Sequence, residues 1–272
     1  MGDAPTPIDS CFSPDVLRGR TAFVTGGATG IGKEICRVLA LHGARVTMFS
    51  RKEENLAATV EELRAETLDV RYEVGDVRDV EAVAAAVSST VSTVGRIDLL
   101  VNNAAGNFPA PMTSISPNGF RAVVDIDLLG TYNVSRTVFD ACLRDGGGDI
   151  VNISAPFELK GIAMQSHVAA AKAGVDSLTR TCAVEWGPYG VRANAVAPGS
   201  IAATEGVRRF ADAVRDGDQR AVNPLDREGH GTDIAYTVLF LCSPAARLVS
   251  GQVIAVDAAA SVDQLKLRMG RD

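Results

Sequence analysis

A short apolar run at residues 21–25 passes directly into Thr25-Gly26-Gly27-Ala28-Thr29-Gly30-Ile31-Gly32, and a helical pattern follows at once. A strand that enters glycines and leaves as a helix aims backbone N–H groups and a positive helix end at one point, an anion site suited to a pyrophosphate. Gly26, Gly30 and Gly32 would supply the tight turn, the close backbone approach and the tight helix packing that such a site needs. Taken alone, the loop could also be a glycine-rich turn without a ligand.

The rest of the chain supplies the context. Apolar runs at 45–50, 70–74, 97–102, 149–154, 191–196 and 253–256 alternate with helical patterns at 31–41, 53–66, 80–94, 118–143, 168–186 and 233–241. This alternation predicts an α/β, Rossmann-like, doubly wound parallel sheet of seven strands with helices on both faces, in one domain spanning 1–272. Residues 97–102 are nearly all apolar, as expected of a strand covered on both faces. Residues 199–231 break the pattern. Charged and glycine-containing, they are expected to form a mobile lid over a ligand.

Composition narrows the function classes. The net charge of -6 argues against a nucleic-acid groove. The 5 cysteines include no Cys-x-x-Cys pair, so reduced, buried thiols are expected, with neither disulfides nor a metal site. No apolar run has the length of a membrane span, and residues 1–20 lack a secretory pattern. The ending Met269-Gly270-Arg271-Asp272 is not a peroxisomal address. A cytoplasmic protein with no membrane partner is the expectation.

The second strand bears on which dinucleotide binds. NAD sites usually carry a carboxylate there for the ribose 2′-hydroxyl. Here the strand ends Phe49-Ser50-Arg51-Lys52. Arg51 would pair a 2′-phosphate, with Ser50 or Lys52 assisting, so NADP(H) is expected. The structural alternative is a solvated basic turn.

The Gly-x-x-x-Gly-x-Gly spacing combines with Asn102-Asn103-Ala104-Ala105-Gly106, Gly75-Asp76-Val77 and Asn194-Ala195-Val196-Ala197-Pro198-Gly199. Together they resemble the short-chain dehydrogenase/reductase family, over residues 17–257. The resemblance implies Asp76 at the adenine, Asn103 and Gly106 along the cofactor trough, and Lys172 on the nicotinamide ribose. Thr29, Ile31, Val77, Ala104, Pro198, Gly199 and Ile201 complete the expected cofactor contacts.

The chain departs from that family where its chemistry resides. A Tyr-x-x-x-Lys motif would have tyrosine give a proton to a carbonyl oxygen, with lysine lowering its pKa. Four residues before Lys172 stands Val168, which has no proton to give. Ala155 takes the usual serine position, and Asp127 that of an asparagine. Two readings follow: a chain that binds cofactor without turnover, or a hydride transfer that needs no strong acid at a carbonyl. Reduction of a conjugated thioester fits the second. Hydride adds at the far end of the conjugated system, donors stabilise the enolate, and carbon is protonated afterwards.

These departures resemble the 2,4-dienoyl-CoA reductases of the peroxisomal type. The matching segments include Phe12-Ser13-Pro14-Asp15-Val16-Leu17, Ala104-Ala105-Gly106-Asn107-Phe108, Val124-Asp125-Ile126-Asp127 and Ala183-Val184-Glu185-Trp186-Gly187. The resemblance implies NADPH-dependent reduction of a 2,4-dienoyl-CoA to a 3-enoyl-CoA in unsaturated fatty acid β-oxidation. Asp127 and Lys172 would form the catalytic pair, the lysine holding the ribose and ordering a proton-bearing water. Phe108 would contact the acyl chain, and Arg51 and Arg78 the coenzyme A phosphates. Phe157 stands where the mitochondrial type has a tyrosine. The segment 251–257 resembles a last strand that belongs to a subunit interface, which implies a homotetramer.

Other residues carry weaker chemistry. His167 could donate to the thioester oxygen or relay a proton, although a lone histidine is more often packed or capping. Gln165 offers an amide donor to the same oxygen. Ser116 and Asn118 fall in a loop that would border the acyl-CoA. Two competitors remain: another enoyl- or oxo-reductase in which His167 replaces the tyrosine, and a non-catalytic NADP-binding protein.

Overall fold

The structure, a computed structural model, describes residues 10–156, 161–202 and 223–263. Seven parallel strands form one sheet: β1 (Thr21–Thr25), β2 (Arg45–Ser50), β3 (Val70–Val74), β4 (Leu99–Asn102), β5 (Gly148–Ile153), β6 (Val191–Pro198) and β7 (Val253–Val256). Their order is β3-β2-β1-β4-β5-β6-β7. The winding reverses between β1 and β4, and a doubly wound sheet opens its ligand crevice at that switch point, beyond the carboxyl ends of the strands.

Successive strand residues point to opposite faces, so each strand feeds two cores. Ala22 and Val24 join Met48 and Leu99 on one face, covered by α1 (Gly30–Leu41), α2 (Glu53–Ala65) and the late helix α6 (Gly231–Cys242). Phe23 joins Phe49, Leu100 and Ile150 on the other, under α3 (Val80–Val94), the long helix α4 (residues 117–146) and α5 (Ser166–Glu185). Rings such as Phe23 and Phe49, 5.6 Å apart and fully buried, each contribute about 1.5–3 kcal/mol by leaving water.

Helix α1 ends at the buried His42, followed by Gly43 at φ +93°, a left-handed position that suits glycine after a helix. Helix α4 starts at the Ser116 hydroxyl, which accepts from the Gly119 amide, with Pro117 in its first turn. It runs through Pro117–Val124, Asp125–Leu129, Gly130–Val138, Phe139–Leu143 and Arg144–Gly146. The second and fourth of these segments are π-helical turns. The sequence pattern had suggested one regular helix here. A π turn adds a residue without ending the helix, so apolar periodicity barely registers it.

The expected strands and helices are present, with no boundary moved by more than three residues. Of the lid expected at 199–231, residues 203–222 lie outside the described residues, as does Phe157. The segment's described flanks meet in a bridge between Ile201 and Gly229, where the Ala202 amide donates to the Gly229 carbonyl. All cysteines are free and four are buried, but Cys11 is exposed, so burial does not extend to every thiol. Among the described residues no helix is long and apolar enough to cross a membrane.

Candidate functional site

Strand register decides what meets at the switch point. Val24 pairs with Val101, so the glycine loop leaving β1 lies beside the loop leaving β4. Asn103 joins them: its side-chain amide donates to the Thr25 and Gly26 carbonyls at 3.1 and 3.0 Å. The Thr25 hydroxyl accepts the backbone amides of Asn103 and Ala104, both at 3.0 Å. A Cβ on Gly32 would stand 2.2 Å from the Gly26 carbonyl oxygen and 2.4 Å from the Asn103 amide nitrogen. Only glycine fits there. Gly26, at φ +64°, requires its residue type by conformation.

One cleft follows these loops. It is lined by the loop residues Gly26, Thr29, Gly30, Ile31 and Gly32, by Ser50, Arg51, Asp76 and Val77, and by Asn103 and Ala104. Those sequence-derived cofactor residues therefore come together. The sequence reading had passed over Asn55, Gly75, Ala105 and Ile126, which share the same walls. Glycines that no side chain could replace and backbone amides at a helix start fit a dinucleotide pyrophosphate.

On the wall of this cleft, Asp76 holds two cations. Arg78 bonds it through Nε and Nη2, and Arg51 stands 3.9 Å away with its side chain 60% exposed. The Arg78 guanidinium, above all, holds the Asp76 carboxyl below its ordinary range, and Asp76 in turn raises Arg78. Arg51 is thus presented at the mouth of the cleft, still exposed for a phosphate.

Next in sequence to the cleft residue Ile126 begins a buried polar group that does not itself line the cleft. Asp127 lies in the first π turn, fully buried. Its Oδ1 accepts the Gly106 amide at 2.6 Å, and its Oδ2 has no hydrogen-bond partner among the described residues. Lys172 approaches Oδ2 to 3.4 Å and donates to the Ile153 carbonyl at 2.8 Å. An ammonium has three donors, so the lysine retains capacity for a ligand. Thr131 caps the Asp127 carbonyl oxygen at 2.7 Å, which takes up a backbone acceptor of the π turn.

A second carboxylate was missed. Asp176 is 1% exposed and lies one turn beyond Lys172 on the inner stripe of α5. Residues four apart on a helix are neighbours, so that spacing from the lysine was the available signal.

The residues expected on the acyl side are less uniform. Phe108 packs edge-on against His167, ring centroids 4.4 Å apart. Gln165 is buried at the N-cap of α5 with its Oε1 unpartnered among the described residues, and so is the Ser154 hydroxyl beside Ala155. Ser116 is occupied as the α4 cap, and Asn118 is exposed in the first turn of that helix. Pro198 ends β6, and the Gly199 amide donates to the Val256 carbonyl. Ile201 buries its side chain in the core, which leaves only its backbone for a cofactor.

Comparison with known proteins agrees with this geometry. Residues 26–260 match the family model described as enoyl-(acyl carrier protein) reductase. The peroxisomal 2,4-dienoyl-CoA reductase of Danio rerio, described as (3E)-enoyl-CoA-producing, is 45% identical over 92% of this chain and 84% of that protein. A citronellol catabolism dehydrogenase of Pseudomonas aeruginosa PAO1 superposes with a TM-score of 0.81 at 40% identity, covering 93% of this chain and 99% of that one. A gluconate 5-dehydrogenase of Burkholderia cenocepacia J2315, solved with NADP and tartrate, gives 0.85 at 32% identity over 92% and 98%.

Proposed function

The chain belongs to the short-chain dehydrogenase/reductase family, and from that premise we propose that it is an NADPH-dependent 2,4-dienoyl-CoA reductase. The observation that carries this reading is the buried Asp127–Lys172 pair at 3.4 Å, standing where no tyrosine is available. Val168 holds the position four residues before the lysine, so carbonyl protonation by a phenol has no agent. A conjugated thioester asks for something else: a place to spread negative charge, and a proton delivered later to carbon.

The residues supply both. Lys172, fixed by Asp127 and the Ile153 carbonyl, directs its remaining N–H capacity at the nicotinamide ribose and a water. Asp127 pairs with that ammonium and aims it, and its own position is set by the Gly106 amide. Asp176 adds a buried carboxylate one helical turn further along α5. Gln165 offers an amide to the thioester oxygen, and Phe108 a flat face to the dienoyl chain. The nicotinamide cofactor, when bound, supplies the hydride.

NADP(H) rather than NAD(H) is favoured by Arg51 and Ser50 on the cleft wall, where no carboxylate ends β2. The relative's acyl-CoA substrate is carried over on the same reading, with Arg78 and Arg51 facing the phosphates of coenzyme A. A homotetramer built through β7 fits a strand in which all four residues are at least partly exposed.

The test is consumption of NADPH at 340 nm with 2,4-dienoyl-CoA esters of several chain lengths, followed by identification of the enoyl product. Turnover of a dienoyl-CoA supports the reading. NADPH binding by calorimetry with no turnover at any length would leave a non-catalytic binding protein instead.

A further inference from the structure

His167 is fully buried near the start of α5. Its Nε2 lies 2.9 Å from the backbone carbonyl oxygen of Phe108. A carbonyl can only accept, so Nε2 must carry the hydrogen. The contact has a companion: the Ala110 amide donates to the Met164 carbonyl at 3.1 Å, and Met164 is held at φ +66°, a region that non-glycine residues seldom occupy. Two bonds therefore clasp the loop after β4 to the entry of α5. The Phe108 and His167 rings, edge-on at 4.4 Å, fill the space beside them.

The other ring nitrogen is left over. Nδ1 is buried and has no hydrogen-bond partner among the described residues. No carboxylate pairs with this ring among them either. An imidazolium there would be a buried charge without a counter-ion, with an unsatisfied donor as well. A neutral ring locked with hydrogen on Nε2 leaves a bare lone pair on Nδ1, which accepts but cannot donate. A bare lone pair would repel an enolate oxygen. The ring hydrogen that could have replaced the missing tyrosine is already used on Phe108.

We propose that His167 is a fixed hydrogen-bond acceptor of the active site, its Nδ1 holding the water that protonates the substrate, and that it is not itself the acid. This rests on the reductase reading above. Hydride arrives at the δ-carbon, the double bonds shift and the charge moves onto the thioester oxygen. One O–H bond of the held water then breaks as a C–H bond forms at the α-carbon. The electron pair stays on the water oxygen, and the hydroxide takes a proton from solvent through the Lys172 ammonium. His167 keeps the same protonation throughout and acts as a positioning residue.

The decisive measurement is ¹⁵N NMR of histidine-labelled enzyme loaded with NADP. The chain has 3 histidines, so the spectrum of a His167→Gln variant assigns the His167 resonances by difference. The expected result is a protonated Nε2 and an unprotonated Nδ1 shifted upfield by an accepted hydrogen bond. A protonated Nδ1 at neutral pH, or a bare Nδ1 without that shift, would overturn the proposal. This readout needs no substrate, so it stands or falls separately from the dienoyl-CoA assignment. In kinetics, His167→Gln keeps an amide N–H toward Phe108 and removes the Nδ1 acceptor. Its kcat should fall about tenfold with KM for both substrates nearly unchanged, the loss of one hydrogen bond. His167→Phe should lose the clasp too and raise the acyl-CoA KM. An unchanged kcat in His167→Gln would mean that only the clasp matters. Should that variant fail to fold, individually labelled wild-type protein still gives the tautomer.

Discussion

Lys172 and Asp127 face one another at 3.4 Å inside a buried site, and the carboxylate oxygen nearer the lysine has no hydrogen-bond partner among the described residues. The pair is thus an ion pair held slightly apart, with the Gly106 amide anchoring the other oxygen. Asp127→Asn keeps an acceptor for Gly106 and removes the charge. Lys172→Ala removes the donor. Each should lower kcat by about 100-fold or more in the 340 nm assay, in the range of a lost acid–base group. Far-ultraviolet circular dichroism should stay native. Near-normal turnover in both would refute the pair.

The proposed preference for NADP(H) rests on Arg51. Arg51→Ala should weaken NADPH binding by about 10- to 100-fold, the range of one charge-assisted hydrogen bond. NADH binding should hardly change, because of the two dinucleotides only NADPH carries the 2′-phosphate that Arg51 would pair. Fluorescence titration with both dinucleotides would show this. Equal losses for the two would place Arg51 elsewhere.

Gly32→Ala tests the glycine loop without removing any functional side chain. The new Cβ falls 2.2 Å from the Gly26 carbonyl oxygen, and backbone must move to admit it. Cofactor binding measured by calorimetry should be lost, and Tm should drop. Wild-type affinity in this variant would contradict the packing.

Asp149 gives a prediction with a sign. It is paired to Arg20 and Arg192 at 2.8 and 2.6 Å, yet burial, the largest cause, raises its carboxyl above the ordinary 3.8. A folded-state pKa above the unfolded one means that ionisation costs stability. This contribution to the unfolding free energy therefore declines as pH rises from about 3.8 through the raised value. Asp149→Asn should remove that decline, while leaving Arg20 and Arg192 without their carboxylate, so Tm at pH 7 should fall and its dependence on pH should flatten. A pH dependence of Tm identical to that of the wild type would contradict the raised value.

Much of this was legible because it is local. The run from β1 through Gly32, the strand periods and the basic end of β2 are all short-range patterns, and they assemble where expected. The acyl side was not legible in the same way. Phe108 and His167 are 59 residues apart, and only the folded loop shows which imidazole nitrogen is engaged. Ser116 was expected in a loop bordering the substrate; the fold adds that its hydroxyl caps α4, a helix start that the sequence pattern placed at 118. Asp176 was visible in the sequence, four residues after Lys172, and drew no notice because its burial depends on the sheet beneath it.

The π turn at Asp125–Leu129 has a consequence for how this site can change. One extra residue per turn is a phase slip, and it advances everything after it by about a quarter of a revolution relative to an uninterrupted helix. The direction of Asp127 is therefore encoded by residue count as well as residue type. Removing one residue from that stretch would restore ordinary winding and rotate the carboxylate against its neighbours on one side of the cut. A family of such chains could then gain or lose this chemistry through a single codon deletion with every named catalytic residue still present.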